Sequence, residues 1–178
     1  MADHLVDVVN EQDEIIGQDL KNSKVAKDFI SRVVGIFICD SQGKFLVCKR
    51  ADHKKNAPGI WDLAAFGNVM AGEDYKTAAQ RELEEELNLK CELEFLDKFY
   101  QKINFNDKDF KIFCGVFLGI SDLEPELNHE LVEFKKMTFE EVEEELKNNP
   151  QNFCQGFIND FNQVKNILKF KIEAFKIV

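Results

Sequence analysis

No two cysteines in this 178-residue chain are spaced as C-x-x-C. The five thiols, Cys39, Cys48, Cys91, Cys114 and Cys154, are odd in number and scattered, which argues against a disulfide framework and for buried thiols in a reducing compartment. Histidine is scarce as well: His4, His53 and His129 are the whole set, with no pair at ligand spacing, so zinc is disfavoured. No apolar run approaches the roughly 20 residues that span a bilayer. The acidic start, MADHLVDVVNEQDE, lacks the apolar core of a signal peptide. A cytoplasmic protein with no membrane partner is expected. Basic residues are outnumbered, 23 Lys and Arg against 33 Asp and Glu, for a formal net charge of -10. That balance excludes a global basic footprint for nucleic acid, and an anionic small molecule would need a cation or a local basic cluster to approach. Internal repeats and low-complexity stretches are also absent.

What is present suits one globular core: 44% hydrophobic residues, 31% charged, and 17 Phe. Val6–Val9 and Glu14–Ile16 read as short strands around an Asn-Glu-Gln-Asp turn, an N-terminal β-hairpin over about 4–17, with Gln18–Asp28 as a polar connector. Ser31–Cys39 and Lys44–Arg50 are β-rich runs separated by Asp-Ser-Gln-Gly, a hairpin signal. A loop, Ala51–Gly59, leads to Trp61, and Glu73–Leu87 has helical spacing. Leu93–Phe105 and Phe110–Ile120 read as long strands joined by a turn at Asn106–Asp109, and Leu131–Met137 as a shorter one. Thr138 with Glu141 predicts a capping box for a helix to about Lys147. Asn149-Pro150 then predicts the N-cap and first position of a last helix, with Phe153, Phe157, Phe161, Val164 and Leu168 as its apolar stripe. The C-terminal helices thus cover about 138–170, and from Lys169 the chain reads as either fraying helix or an added strand. Many strands with one helix in the middle and two near the end describe a single α+β layered domain over 1–178.

The most informative segment is GNVMAGEDYKTAAQRELEEELNL, residues 67–89. On a helix each residue turns by about 100°, so Glu82, Glu85 and Glu86 share one edge. Ala79, Leu83 and Leu87 line an adjacent apolar stripe, and Glu84 points away. Two carboxylates about 4 Å apart at an effective dielectric of 20 repel by about 4 kcal/mol. A partly buried trio therefore calls for a cation, and hard oxygen donors favour Mg²⁺, Mn²⁺ or Ca²⁺. The acidic run at Glu141 and Glu143–Glu145 has no chemistry beside it and reads as a solvated helix face.

The segment resembles the Nudix box, G-x5-E-x7-R-E-U-x-E-E-x-G-U with U apolar. Gly67, Glu73, Arg81, Glu82, Leu83, Glu85, Glu86 and Leu89 match, and Asn88 stands where the family has Gly. Asn tolerates the left-handed conformation of a helix C-terminus, so this departure costs little. The resemblance implies an α/β/α sandwich with a mixed central sheet, and a metal-dependent hydrolase that cleaves a diphosphate linkage in a nucleoside diphosphate attached to X. It further implies Mg²⁺ (or Mn²⁺) held by Glu82, Glu85, Glu86 and the backbone carbonyl of Phe66, with Glu82 as the base. Glu73 and Arg81 would form an ion pair that fixes the loop, and Gly67 and Gly72 would be turn glycines that shape it. One more acid from outside the box is expected, Glu130 or Glu133.

KRADHKKNAPGIW, residues 49–61, and the N-terminal DVVNEQDEIIG resemble the branch that includes isopentenyl-diphosphate isomerases. By that likeness Arg50 and Lys54 would contact substrate phosphate, supplying the local positive charge the acidic whole demands. The isomerases need a cysteine just before the box glycine and a histidine just after it, where this chain has Phe66 and Asn68. A hydrolase is the expectation; an isomerase-like enzyme or a non-catalytic nucleotide-sensing domain are the alternatives. Ala51–Gly59, Asn104–Asp109 and Ser121–His129 are the loops expected to select X. Monomer and homodimer are both open.

Overall fold

The computed structural model describes residues 3–105 and 108–175. Strand β3 (Ile30–Cys39) is the spine of a nine-stranded sheet. Its Val33, Phe37 and Cys39 enter one apolar core, and Val34, Ile36 and Ile38 the other. A strand buried on both faces needs apolar residues in both registers, which this near-continuous run supplies. Strand β3 pairs antiparallel with β1 (Leu5–Val9), β4 (Phe45–Arg50) and β6 (Ala65–Asn68), and parallel with β8 (Lys108–Ile120). Strand β2 (Ile15–Leu20) adds to β1, β7 (Leu93–Phe105) to β8, and β5 (Trp61–Asp62) and β9 (Leu131–Met137) to β4. The sheet is mixed, as expected.

Helices cover both faces. Helix α2 (Tyr75–Leu87), the second after the short α1 (Lys24–Lys27), packs Ala78, Ala79, Leu83 and Leu87 on one. Helices α3 (Phe139–Asn148) and α4 (Gln155–Phe175) pack Phe139, Val142, Phe157, Phe161, Val164, Leu168 and Ile172 on the other. Each such side chain taken out of water contributes about 1.5–3 kcal/mol. Thr138 and Glu141 close the predicted capping box reciprocally, with bonds of 3.2 and 2.7 Å.

Three expectations need correction, and one left open is decided. The second hairpin strand runs to Leu20, and the connector after it holds a 3₁₀ turn, Lys21–Ser23, and α1. Its burial is almost nil on either face, so no hydrophobic alternation announces it; the ladder to β1 makes it. Strands β5 and β6 lie between the end of the expected 51–59 loop and the first residues of the box, where no strand was expected. Pro150 opens a separate 3₁₀ turn, Pro150–Asn152, instead of the last helix. Phe153 follows in extended conformation and bridges Trp61, and α4 begins at Gln155. Past Lys169 the chain remains helical to Phe175. Asn106 and Asp107, in the expected turn between the long strands, lie outside the described residues.

One buried polar cluster ties α4 to the sheet. Gln101 Nε2 on β7 donates to Asp160 Oδ1 at 2.8 Å, the Cys114 thiol on β8 donates to Oδ2 at 3.4 Å, and Asn159 Nδ2 donates to Gln101 Oε1 at 2.8 Å. Burial pushes the Asp160 carboxyl up to about 7, the two donors pull the other way, and the Asp62 charge adds a little to the rise. The folded chain thus keeps a proton on Asp160 that the unfolded chain sheds near the ordinary Asp value of about 3.9. The folded state binds more protons between those values, so this group's contribution to stability is complete below about 3.9 and declines as pH rises through about 7. Asp160→Asn should remove that slope. Melting scans from pH 4 to pH 8 should show the variant gaining on the parent by at least about 3 °C, given about 2–4 °C per kcal/mol at this size. A constant difference across that range would refute the assignment.

Candidate functional site

Helix α2 carries the acidic edge because both its ends are fixed locally. Asp74 caps the start, accepting from Thr77 N at 2.7 Å. Asn88 closes it in the left-handed conformation, φ 51° and ψ 31°, the role glycine has in the box. With that phase Leu83 and Leu87 face the sheet, Glu84 faces water beside Lys90 at 2.7 Å, and Glu82 and Glu86 point toward β6. Glu85 is more open than the other two, its side chain 55% exposed.

Arg81 organises the cluster. Its Nε and Nη2 donate to the two oxygens of Glu73 at 2.9 Å each, and Nη2 also reaches the Asn68 carbonyl at 2.8 Å. Nη1 donates to Glu82 at 2.7 Å and to Glu85 at 3.3 Å. Glu73 also accepts from Met70 N at 2.9 Å, so the ion pair pins the loop before the helix. The Arg81 bond holds the Glu73 carboxyl below its usual range. Gly67 sits in strand β6 directly beneath the Glu82 carboxyl group, where a methyl would overlap it. It is a close-approach glycine, not a turn glycine; Gly72, at φ 82°, is the turn glycine.

Glu86 is buried, and the one hydrogen bond to its carboxyl among the described residues comes from Phe66 N at 3.3 Å. Burial pushes its carboxyl up to about 8, with the charges of Glu82 and Glu130 adding to the rise. Glu82 is raised too, chiefly by burial, against the pull of Arg81. Of the two acids outside the box, Glu130 stands at this site, paired with Lys54 and felt by Glu86. Burial opposes its ionisation, yet Lys54 holds it below the usual carboxylate range. Glu133 lies apart, half-exposed and 3.6 Å from Lys49.

Each nitrogen of the Arg50 guanidinium donates one hydrogen bond: Nη1 to Asp62 at 3.0 Å, Nε to the Ala57 carbonyl at 3.1 Å, and Nη2 to the Asn56 carbonyl at 3.1 Å. It braces the 51–60 loop and presents one face to a cleft of about 390 Å³. Lys54, Lys55, His53, Phe66 and Asn68 also line that cleft. Other lining residues had no place at this site in the sequence reading, among them Lys21, which follows β2, Asp62 on β5, and Cys154, just ahead of α4 and read only as a buried thiol. Lys21 makes no ion pair among the described residues, although its charge is felt by Glu82 and Glu130. Only the tertiary fold joins these three; the one local hint is Asp62, a charge inside an apolar run.

The donor set suits a hard divalent cation: carboxylate oxygens from Glu82, Glu85 and Glu86, two of them raised by burial with too little positive charge nearby. As the side chains stand, no three acidic, histidine or cysteine groups among the described residues close on one point. Arg81 bridges Glu82 and Glu85, and Lys54 covers Glu130, where cations would sit.

No helix among the described residues is long and apolar enough to cross a membrane. An isopentenyl-diphosphate Δ-isomerase of Serratia proteamaculans is 29% identical over 158 residues, 88% of either chain. An uncharacterized Nudix hydrolase of Pseudomonas aeruginosa is 35% identical over 118 residues, 66% of this chain and 68% of that one. A crystal structure from Deinococcus radiodurans shares the fold at a TM-score of 0.75 and 24% identity, covering 90% of this chain and 99% of that one. The family model for the NUDIX domain matches residues 30–156, from the start of β3 to the first turn of α4. That span takes in every strand and helix that builds the carboxylate edge, and it makes this chain a member of the Nudix family.

Proposed function

We propose that this chain hydrolyses a diphosphate linkage in a nucleoside-diphosphate-X or related small diphosphate. Mg²⁺ or Mn²⁺ would be held by Glu82, Glu85, Glu86, the Phe66 carbonyl and Glu130. The observation that carries the reading is the pair Glu86, buried, and Glu82, half-buried, both raised by burial and set beside a cleft lined by Lys21, Lys54 and Lys55. When bound, a divalent ion neutralises phosphate oxygens and lowers the pKa of a coordinated water. Glu82 is held by Arg81 against Gly67, which fixes the angle at which it would take a proton. Lys54 leaves Glu130 to pair with a phosphate, Arg50 keeps the loop that carries Lys54 in place, and Lys21 faces the same charge from the hairpin side. Five free thiols, four of them buried, support a reducing, cytoplasmic setting.

A second reading, double-bond migration as in the isomerase relatives, has one observation in its favour: Cys154 lines the cleft although it is remote from the box in sequence. Burial first, and then the Asp62 carboxylate, hold its thiol strongly protonated. A thiol held that firmly gives its proton up reluctantly and has no site to take another, and Asn68 in place of histidine supplies no base, so that chemistry lacks its acid–base pair.

Incubation with Mg²⁺ and a panel of dinucleoside polyphosphates, sugar nucleotides and prenyl diphosphates tests these readings. Phosphate-containing products that vanish with a chelator are expected. Double-bond migration would favour the second reading, and binding without turnover a sensing domain. No turnover and no binding across the panel would end the hydrolytic proposal.

A further inference from the structure

Gly156, in the first turn of α4, is a buried helical residue on the wall of the cleft. Glycine is a poor choice inside a helix, because it loses more conformational freedom on folding than alanine and packs nothing. At other buried glycines here packing supplies the reason: a methyl at Gly119 would come within 2.6 Å of the Cys91 sulfur, and one at Gly67 would overlap Glu82. Gly156 has no such reason. A methyl there would meet Ile103 Cδ1 at 3.4 Å and the Phe66 ring at 3.7 and 3.9 Å, ordinary contact distances. Its φ is not in the left-handed region either.

What a side chain at 156 would occupy is the cleft. Gly156 meets Ile103 and Phe66, and with Cys154 beside it in sequence these make an apolar corner; the other lining residues are polar or charged, with Lys21, Lys54, Lys55 and Arg50 set against Asp3 and Asp62. The cleft is thus divided by chemistry into a place for phosphates and a place for whatever the diphosphate carries. We infer that Gly156 sets the size of the group attached to the diphosphate, by leaving open the corner between Phe66 and Ile103. This inference rests on the hydrolytic reading only for where the diphosphate end lies. It concerns the other end.

The test compares two non-hydrolysable ligands by calorimetry with Mg²⁺ present: methylenebisphosphonate itself, and its monoester with a branched six-carbon alkyl group. Gly156→Leu should weaken the ester at least tenfold and leave the parent compound within twofold. Gly156→Ala, which the available space accommodates, should weaken the ester about two- to threefold, spare the parent compound and raise Tm. That smaller variant keeps the test decisive if Gly156→Leu does not fold. Unchanged affinity for the ester in the folded variants, or equal losses for both ligands, overturns the inference and leaves the hydrolytic reading standing. A wild-type chain that binds neither ligand overturns both.

Discussion

Glu86→Gln should cut turnover by about 10³-fold and abolish divalent-ion uptake while the protein stays folded. The amide keeps an oxygen that can accept from Phe66 N, the one hydrogen bond the Glu86 carboxyl makes among the described residues. It also removes a buried carboxyl that burial, Glu82 and Glu130 together push up to about 8, so the variant should melt no lower than the parent and should gain about 2–4 °C at pH 8. What disappears is the negative oxygen that would hold the ion and the water it activates, and losses of about 10²–10⁴ follow when such a group is removed. Glu82→Gln should behave alike in turnover. Glu84→Gln is the internal control: its carboxylate is exposed and paired with Lys90 at 2.7 Å, so the same assay should register no change. Full turnover in both the Glu82 and Glu86 variants would remove the acidic edge of α2 from the chemistry, and a large loss at Glu84 would mean that the helix phase differs from the one described.

How much of this was legible beforehand follows the range of the forces involved. The phase of α2, its left-handed Asn88 end and the Thr138 capping box are set within a turn of the residues concerned, and they stand as read. The ion pair of Glu73 with Arg81 also holds, because eight residues along loop and helix fix their separation. The readings that failed depend on partners distant in sequence. Strand β2 exists through its ladder to β1, and β6 through its ladder to β3. Pro150 could open either a long helix or one tight turn, and the bridge from Phe153 to Trp61 decides for the turn. The acids Glu130 and Glu133 are equivalent in sequence, but the lysine each one meets separates them: Lys54 at the cleft for one, Lys49 on β4 for the other. Lys21 and Cys154 reach the cleft from opposite ends of the chain, and no local pattern could have brought them together.

Gly67→Ala should separate stability from activity. The methyl added on β6 would overlap the Glu82 carboxyl group, which is the far end of a flexible side chain and not backbone. The strain can therefore leave through rotation of Glu82, with β6 keeping its register opposite Val34 of β3. Overpacking of this kind costs about 1–3 kcal/mol, a fall in Tm of about 2–12 °C at this size. Function should suffer more. Rotation takes Glu82 off Arg81, which it now meets at 2.7 Å, and away from the place where it faces Glu86. A displacement of about 1 Å in a catalytic group can cost about 10²-fold, so kcat/KM should fall by at least that factor. Adding Glu82→Ala to Gly67→Ala removes the colliding group, and Tm should then recover while turnover does not. A Gly67→Ala protein with wild-type turnover would mean that Glu82 works equally well elsewhere, and the close approach of helix α2 to strand β6 would then have no part in positioning it.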